Sequence, residues 1–320
     1  MTGTTTSHRG ILFGDTLPAI PKGLRGFIVA NPGTGKTLFM NWLAYLAAYQ
    51  GKSTLVLDGE TPLMQIETNL NRYSAHYGRS WHELPIAVRI LSGDFGWRNL
   101  DQENLVDFNP KFVLLESIQS MSGNTNDPNV GSLVRRSLNK VHDDSRWCLI
   151  SAHTNQSSFY LTKNELEEMP IPDLARIVKG DTSIVSQGCD VAYVIKQLTS
   201  DPLRLAVIVK GRRGYFKSQT YYYELKEPDG KGYDSQMWWE AIAPVHQELD
   251  SNAVDVLNLV RTHTDNDGVL VPISAKEIMG TAVTIKQEER RGIIRLLLER
   301  GDIVEHSKFC YLPRQRRRRE

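Results

Sequence analysis

The stretch that decides the fold is FIVANPGTGKTL, residues 27–38. Its first four residues are apolar and predict a buried strand. The next five, Asn-Pro-Gly-Thr-Gly, can continue neither a strand nor a helix. Lys36 and Thr37 then open an apolar segment with helical spacing, which ends at Gly51. Because glycine commonly terminates helices, the sequence predicts a strand, a glycine-rich turn and a helix in direct succession.

The residue types in this turn suit a polyphosphate ligand. The spacing Ala-x-x-x-x-Gly-Lys-Thr is that of the phosphate-binding P-loop, with Ala in place of the first Gly. Two glycines let backbone N–H groups turn inward, and the N-terminus of the next helix attracts the same anion. We expect Lys36 to reach the β- and γ-phosphates and the Thr37 hydroxyl to hold Mg²⁺. The predicted nucleotide-binding residues are Ala30, Asn31, Pro32, Gly33, Thr34, Gly35, Lys36, Thr37 and Leu38.

Composition places the chain among ordinary globular proteins. Hydrophobic residues make up 40% and charged residues 23% of its 320 residues. The net charge of +1 gives no general attraction to nucleic acid, so any such binding must come from local patches. No apolar run approaches the ~20 residues of a membrane span. Cys148, Cys189 and Cys310 lie far apart, without metal-ligand spacing. Cys148 and Cys189 lie in apolar runs that predict strands, so we expect these two to be buried thiols, and we expect a cytoplasmic location without a membrane partner.

The order of strands and helices predicts an α/β fold. Apolar runs that predict strands alternate with helical patterns up to about residue 160; they are 27–30, 54–58, 88–91, 111–116 and 147–152. This alternation indicates a parallel sheet with helices on both faces. Three later strands follow one another directly, at 190–195, 204–209 and 220–225, and predict an antiparallel extension at one edge. A helix is expected at 130–142, and a loop with at most one helical turn at 154–182.

Composition also suggests the domain limits. We expect a flexible tail over 1–16, an ATPase core over 17–247, a small domain over 248–313 and a basic tail over 314–320. In the small domain, the pairs Ser274–Glu277 and Thr284–Gln287 have the spacing of capping boxes that open helices. Three predicted helices followed by a hairpin have the layout of a winged helix.

Three polar side chains follow the predicted strands of the core. In a parallel sheet the strand ends face the ligand crevice. Glu60, directly after the second strand, can orient and deprotonate an attacking water. Glu116 ends the apolar strand KFVLLE, where a carboxylate can hold Mg²⁺ through water. His153 ends the next strand, in a position to sense the γ-phosphate.

The order of these segments resembles the RecA-like core ATPases. After the P-loop come Asp-Gly-Glu60, LLESIQSM, ISAHTN, DTSIVSQGCDVAYVI and VKGRRG. The pattern is most similar to DnaB-type hexameric helicases, RadA-type branch migration helicases and small plasmid helicases of the RepA kind, and covers about residues 17–225. The resemblance implies ATP and Mg²⁺ as ligands, Glu60 as the catalytic base, and Glu116 as the metal acid. The family usually has Asp at the position of Glu116.

The resemblance also implies an assembly. Lys210 and Arg212 match a Lys-x-Arg pair that reaches the γ-phosphate bound by the neighbouring subunit. A cation at the tip of an edge strand cannot easily reach its own P-loop, which favours this trans-acting finger role. Such a role requires a head-to-tail homo-oligomer, either a ring, by family a hexamer, or a filament.

Single-stranded DNA is the partner that the resemblance implies. In RecA-like assemblies, the loops that follow the strands of Glu116 and His153 line the DNA channel. The second of these loops carries Lys163, Arg176 and Lys179, although its three glutamates also suit an ordinary surface loop. The small domain adds Arg290 and Arg291 on its last predicted helix, 285–300, and Arg316 and Arg317 in the tail. This domain is expected to bind duplex DNA or a replication protein.

Three functions stay open at this point. The first is an ATP-driven DNA helicase of a phage, plasmid or similar replicon. The second is a recombinase-like ATPase filament or mediator. The third is an ATP-gated DNA-binding initiator or regulator without motor activity, which the Glu at position 116 and the small size keep in consideration.

Overall fold

The protein was analysed as a computed structural model. The residues it describes are 11–12, 20–21, 23, 25–91, 108–122, 139, 146–155, 161, 163–179, 188–212, 218–243, 251–264, 271–281, 287–300, 303–307 and 310–313. Apart from residue 139, the predicted helix over 130–142 lies outside these ranges.

The chain divides into two compact units. The core unit comprises Met1–Gln156 and Met169–Pro244, and the C-terminal unit comprises Ser157–Glu168 and Val245–Glu320. Each unit has its own hydrophobic cluster. The C-terminal unit therefore includes a short piece of chain from the middle of the sequence. The domain limits proposed from composition remain predictions.

A nine-stranded sheet forms the centre of the core unit. Its strands are β3 (Arg25–Ala30), β4 (Thr54–Asp58), β5 (Ile86–Ile90), β6 (Phe112–Glu116), β7 (Trp147–His153), β8 (Val191–Ser200), β9 (Leu203–Gly211), β10 (Gln219–Lys226) and β11 (Trp238–Ala241). Strand order is β11-β10-β9-β8-β3-β7-β6-β4-β5, and β1 (Ile11–Leu12) and β2 (Ile20–Pro21) form a separate antiparallel pair. In this order, the neighbouring strands in β8-β3-β7-β6-β4-β5 pair in parallel. The neighbouring strands in β11-β10-β9-β8 pair antiparallel. The predicted mostly parallel sheet with an antiparallel extension at one edge is confirmed.

The inner parallel strands are apolar on both faces, whereas β5, at the edge of the sheet, is only partly buried. Every residue of β4 and β6 is buried, as expected for strands covered by helices on both sides. Helix α1 (Lys36–Tyr49) packs its apolar residues into the main cluster together with α2 (Leu63–Tyr77). A 3₁₀ turn at Trp81–Glu83 and the short helix α3 (Ile118–Ser122) complete the connections described in this part of the unit.

Two local predictions about strands were wrong. The third parallel strand is Ile86–Ile90, so it begins two residues before the predicted Val88. The strand that carries Lys210 is not an edge strand, because β9 lies between β8 and β10. The antiparallel side continues to β11, whose Trp238 and Trp239 pair with the end of β10. The sequence pattern there was mixed, with Pro, Gly and Asp before the tryptophans, and did not predict a strand.

The prediction of a loop at 154–182 was also wrong. The segment contains α4 (Lys163–Glu168) and α5 (Ile171–Ile177). Pro172 lies in the first turn of α5, where its fixed φ suits a helix start. Ile171, Leu174 and Ala175 of α5 are buried. The Ser, Lys, Glu and Pro content of the segment obscured this short apolar pattern.

The C-terminal unit combines helices with a small sheet. Its helices are α6 (Ser251–Thr262), α7 (Ala275–Thr281) and α8 (Gln287–Arg300); its strands are β12 (Ile273–Ser274), β13 (Ile303–Ser307) and β14 (Cys310–Pro313), in the order β12-β14-β13. Ser274 Oγ accepts from Glu277 N–H at 3.2 Å and Glu277 Oε2 accepts from Ser274 N–H at 2.8 Å, which is the predicted capping box. The winged-helix assignment stays a prediction. No helix in the described ranges is long and apolar enough to cross a membrane.

Candidate phosphate-binding and hydrolytic site

The turn between β3 and α1 depends on two glycines. Gly33 and Gly35 have φ angles of +78° and +86°, in the left-handed region that side chains disfavour. A Cβ on Gly35 would also lie 2.9 Å from Leu203 Cδ2, whereas a Cβ on Gly33 would meet nothing within 4 Å. The Thr34 hydroxyl donates to the Asn31 carbonyl at 2.9 Å and closes the turn. The backbone therefore adopts the curled form that a phosphate cradle needs.

Lys36 and Thr37 meet Glu116 at the carboxyl edge of the sheet. Lys36 Nζ donates to Glu116 Oε1 at 2.7 Å and to Ser151 Oγ at 3.0 Å. The Thr37 hydroxyl donates to the same Glu116 oxygen at 2.7 Å. Both charged partners are buried, with 4% of Lys36 and 1% of Glu116 exposed. Three predicted residues from two distant parts of the chain thus form one polar cluster.

The residues around Glu116 suit a magnesium ion. Glu116 Oε2 is buried and has no hydrogen-bond partner within the described part of the chain. A carboxylate oxygen and a threonine hydroxyl are hard oxygen ligands of the kind Mg²⁺ prefers. Mg²⁺ keeps several waters and uses few protein ligands, so the Glu116 carboxylate and the Thr37 hydroxyl fit it.

Glu60 and His153 are in direct contact. His153 Nε2 lies 3.0 Å and 2.9 Å from the two carboxylate oxygens of Glu60. Glu60 follows β4 by two residues, and His153 is the last residue of β7. The hydrogen bond from His153 lowers the pKa of Glu60 to about 2, against the cost of partial burial, and the charges of His153 and Lys36 add to the effect. The predicted base is thus a weak base while His153 holds it.

Asp58 is a member of the site that sequence reasoning missed. It ends β4 in register with Glu116 on β6, and it is fully buried. Burial raises the pKa of Asp58 to about 6, and the negative charge of Glu116 contributes to the rise. The sequence feature that could have identified Asp58 is its position as an acid at the end of the apolar run TLVLD. The prediction named Glu60 instead, because Glu60, two residues later, matched the expected base.

Gln119 is a second residue that was not predicted. Its Oε1 accepts from His153 N–H at 3.0 Å, and its Nε2 donates to the Lys179 carbonyl at 2.7 Å. Lys179 N–H donates to the His153 carbonyl at 2.8 Å, and Asn155 N–H donates to the Ile177 carbonyl at 2.7 Å. The end of β7 is therefore connected to the segment that follows α5. Only its place in the stretch LLESIQSM pointed to Gln119.

Lys210 is bound within its own core unit. The side chain is 4% exposed, and Nζ donates to the Met169 carbonyl at 2.6 Å, at the start of α5. Arg212 N–H donates to the Asp190 carbonyl at 2.8 Å. A finger role for these two residues stays a prediction. It would require Lys210 to exchange the Met169 carbonyl for a phosphate.

The predicted DNA-binding residues that the structure describes are divided between the two units. Arg176 and Lys179 belong to the core unit, whereas Lys163 belongs to the C-terminal unit. Lys163 pairs with Glu167 at 2.9 Å, and the exposed Arg176 lies 3.5 Å from Asp173. Arg291 is exposed. The Arg290 side chain, Arg316 and Arg317 lie outside what the structure describes.

Comparison with known proteins leaves the family open. No protein-family model matches the chain, and no curated protein matches it. Among solved structures, the chain is similar to one described as an ATPase domain, with 14% sequence identity and a TM-score of 0.49 over 67% of this chain and 85% of that chain. At this identity and TM-score the likeness carries no inference about activity.

Proposed function

We propose that the protein is an ATP-hydrolysing, oligomeric DNA motor, a helicase of a phage, plasmid or similar replicon. The observation that carries the hydrolytic part is the shared contact of Lys36 and Thr37 with Glu116, beside the Glu60–His153 pair. All five side chains lie at the carboxyl edge of the parallel strands, or at the start of the helix that follows one of them. This is where α/β sheets bind ligands.

The roles of the residues follow from their charges and positions. Lys36 and the N-terminal end of α1 offset the negative charge of the phosphates. Glu60 takes a proton from the attacking water, whose oxygen bonds to the γ-phosphorus as the bond to the β–γ bridging oxygen breaks. ADP and phosphate are then the products. His153 competes for Glu60, so hydrolysis requires that this contact loosen.

Glu116 and Thr37 would hold the magnesium ion that accompanies ATP. When bound, Mg²⁺ offsets the charge that develops on the phosphate oxygens. Glu116 Oε2, which has no hydrogen-bond partner among the described residues, is the oxygen available for this role. Lys36, which shares Oε1 with Thr37, would balance the remaining negative charge of the carboxylate.

The motor part of the proposal depends on the resemblance in motif order. A ring or filament would place Lys210 and Arg212 of one subunit near the nucleotide of the next. Single-stranded DNA would contact the chain around Arg176 and Lys179, which follow the strand of His153. The C-terminal unit would bind duplex DNA or a replication protein through Arg290, Arg291 and the arginine tail.

The test is nucleotide binding, hydrolysis and unwinding in three proteins. Wild type should bind a fluorescent ATP analogue, hydrolyse ATP and unwind a forked duplex. Lys36→Ala should lose binding, whereas Glu60→Gln should bind and lose hydrolysis by a factor of about 100 or more. Unchanged nucleotide affinity in Lys36→Ala would refute the proposal.

Two other outcomes would replace the motor with a different function. DNA-stimulated hydrolysis with strand pairing but without unwinding would indicate a recombinase-like filament. Sequence-specific duplex binding that survives Glu60→Gln would indicate a nucleotide-gated regulator. Electron microscopy with single-stranded DNA and a slowly hydrolysed ATP analogue would show whether a ring or a filament forms.

A further inference from the structure

Asp58 holds the backbone of the loop that carries Glu60. Its Oδ1 accepts hydrogen bonds from the N–H groups of Glu60 and Thr61, both at 2.7 Å. Just before them in the chain, Gly59 N–H donates to the Glu116 carbonyl at 2.6 Å. The loop is therefore tied to the ends of two neighbouring strands, β4 and β6, over three consecutive residues. Its anchor cannot move easily, because Asp58 is 0% exposed.

This anchor comes with an electrostatic penalty. A buried carboxylate next to the buried Glu116 is unfavourable, as the raised pKa of Asp58 indicates. Its second oxygen, Oδ2, has no hydrogen-bond partner among the described residues. An amide or hydroxyl oxygen could accept from the same N–H groups without the charge. The two short bonds through Oδ1 are thus the hydrogen bonds that this side chain accepts from backbone N–H groups, alongside a contribution from the Thr61 side chain.

The position of the Glu60 backbone determines where its side chain can reach. The Glu60 carboxylate is 42% exposed and is held mainly by His153, with a smaller hydrogen-bond contribution from Ser117. When His153 releases the carboxylate, the reach of Glu60 toward a water depends on where its Cα is held. Misplacement of a catalytic group by about 1 Å can cost a factor of about 100 in rate.

We propose that Asp58 is a positioning residue for hydrolysis, acting through Glu60. Oδ1 fixes the Glu60–Thr61 backbone relative to Lys36 and Glu116, and the hydrogen-bond acceptor rather than the negative charge is the property required. This inference rests on the proposed function, because it takes Glu60 as the base. It adds a residue to the site that touches neither the nucleotide nor the attacking water.

The test compares two nearly isosteric replacements. Asp58→Asn keeps an acceptor oxygen and loses the charge, whereas Asp58→Leu fills the same space without an acceptor. We expect Asp58→Leu to lower kcat for ATP hydrolysis by about tenfold or more, with KM and the affinity for a fluorescent ATP analogue changed by less than about threefold. Asp58→Asn should keep at least about a third of the wild-type kcat.

A control variant separates this effect from the loss of any side-chain acceptor for a backbone N–H. Ser274→Ala removes a side-chain acceptor for a backbone N–H in the C-terminal unit and should leave DNA-independent hydrolysis unchanged. Thermal unfolding of every variant shows which are folded. If Asp58→Leu does not fold, Asp58→Ser and Asp58→Ala form the substitute pair, with kcat expected to be higher for serine.

Three results would overturn the inference. Asp58→Leu could hydrolyse ATP as fast as wild type, both replacements could lower kcat equally, or kcat and nucleotide affinity could fall in parallel. An equal fall would mean that the charge matters, and a parallel fall would mean a general structural role. An inactive wild type, or a fully active Glu60→Gln, would instead refute the proposed hydrolytic function itself.

Discussion

Glu60 is the acid that follows β4, a position that suits a base, and its carboxylate is paired with His153. This pairing lowers the pKa of Glu60 to about 2. A carboxylate with so low a pKa accepts a proton from water poorly. Paired with His153, Glu60 is therefore poorly suited to the proposed role of base. Loss of the contact with His153 would return Glu60 toward its ordinary pKa.

The lowered pKa of Glu60 predicts how the stability that the Glu60–His153 contact adds depends on pH. A lowered carboxyl pKa stabilises the fold above about pH 4.5, and the contribution disappears as pH falls toward 2. His153→Ala should therefore be less stable than wild type at pH 5, with the gap narrowing at pH 3. Since Glu60 is partly exposed, the change in the gap should be about 1 kcal/mol or less.

Urea unfolding at the two pH values measures this gap. His153→Gln is the matched control, because its amide can still donate to Glu60, and it should resemble wild type. A gap between His153→Ala and wild type that is the same at pH 5 and pH 3 would contradict the assigned cause of the pKa shift.

The raised pKa of Asp58 predicts the opposite dependence of stability on pH. A raised pKa means that the folded state favours the protonated acid, so stability from this group is present below about pH 4 and is lost as pH rises through about 6. Asp58→Asn cannot ionise and should be more stable than wild type at pH 7.5, by up to about 3 kcal/mol, but not at pH 4. Denaturant unfolding across this range tests it. A stability difference that does not depend on pH would count against the raised pKa.

Among the elements, the turn before α1 shows why its two glycines are not equivalent. Both have left-handed backbone, so alanine at either position costs roughly 1 kcal/mol in strain. At Gly35 the new Cβ would also press against Leu203 on β9. The P-loop is thus packed against the antiparallel side of the sheet, a contact between residues far apart in sequence.

Gly35→Ala should therefore be more harmful than Gly33→Ala. We expect it to lower the free energy of unfolding by a further 1–3 kcal/mol or so, and to weaken nucleotide binding more. Thermal unfolding and titration with a fluorescent ATP analogue give both quantities. Adding Leu203→Ala to Gly35→Ala should recover part of the binding, because it removes the group that the Cβ meets. Equal effects of the two glycine replacements would show that the contact with Leu203 is unimportant.

At the scale of the whole molecule, the open question is whether one chain forms a complete site. The core unit of one chain brings together five residues of the proposed site: Lys36, Thr37, Glu60, Glu116 and His153. Lys210 is instead bound to the Met169 carbonyl. Lys210 lies on an interior strand, so an edge-strand position no longer supports a trans-acting finger role. The resemblance in the Lys-x-Arg motif still supports it. Assembly is thus a hypothesis that needs a test independent of structure.

Mixing two inactive variants provides that test. Glu60→Gln lacks the base and keeps Arg212, whereas Arg212→Ala lacks the predicted finger and keeps the base. If a site is shared between subunits, an equimolar mixture should hydrolyse ATP faster than the sum of the separate proteins. Glu60→Gln mixed with Lys36→Ala is the control, since base and P-loop lysine belong to the same chain's site and should not complement. No gain in the first mixture would refute a finger role for Arg212.

The sequence by itself determined the succession of strands along the chain around the P-loop and the side chains that end these strands. That was possible because apolar runs, glycine turns and capping patterns are local, and because parallel strands bring their carboxyl ends to one edge. Only the tertiary structure decided that Glu116 binds both Lys36 and Thr37, and that His153 pairs with Glu60. It alone revealed Asp58 as a buried anchor. These features depend on which strands become neighbours and how deeply each is buried, and packing between distant segments decides both.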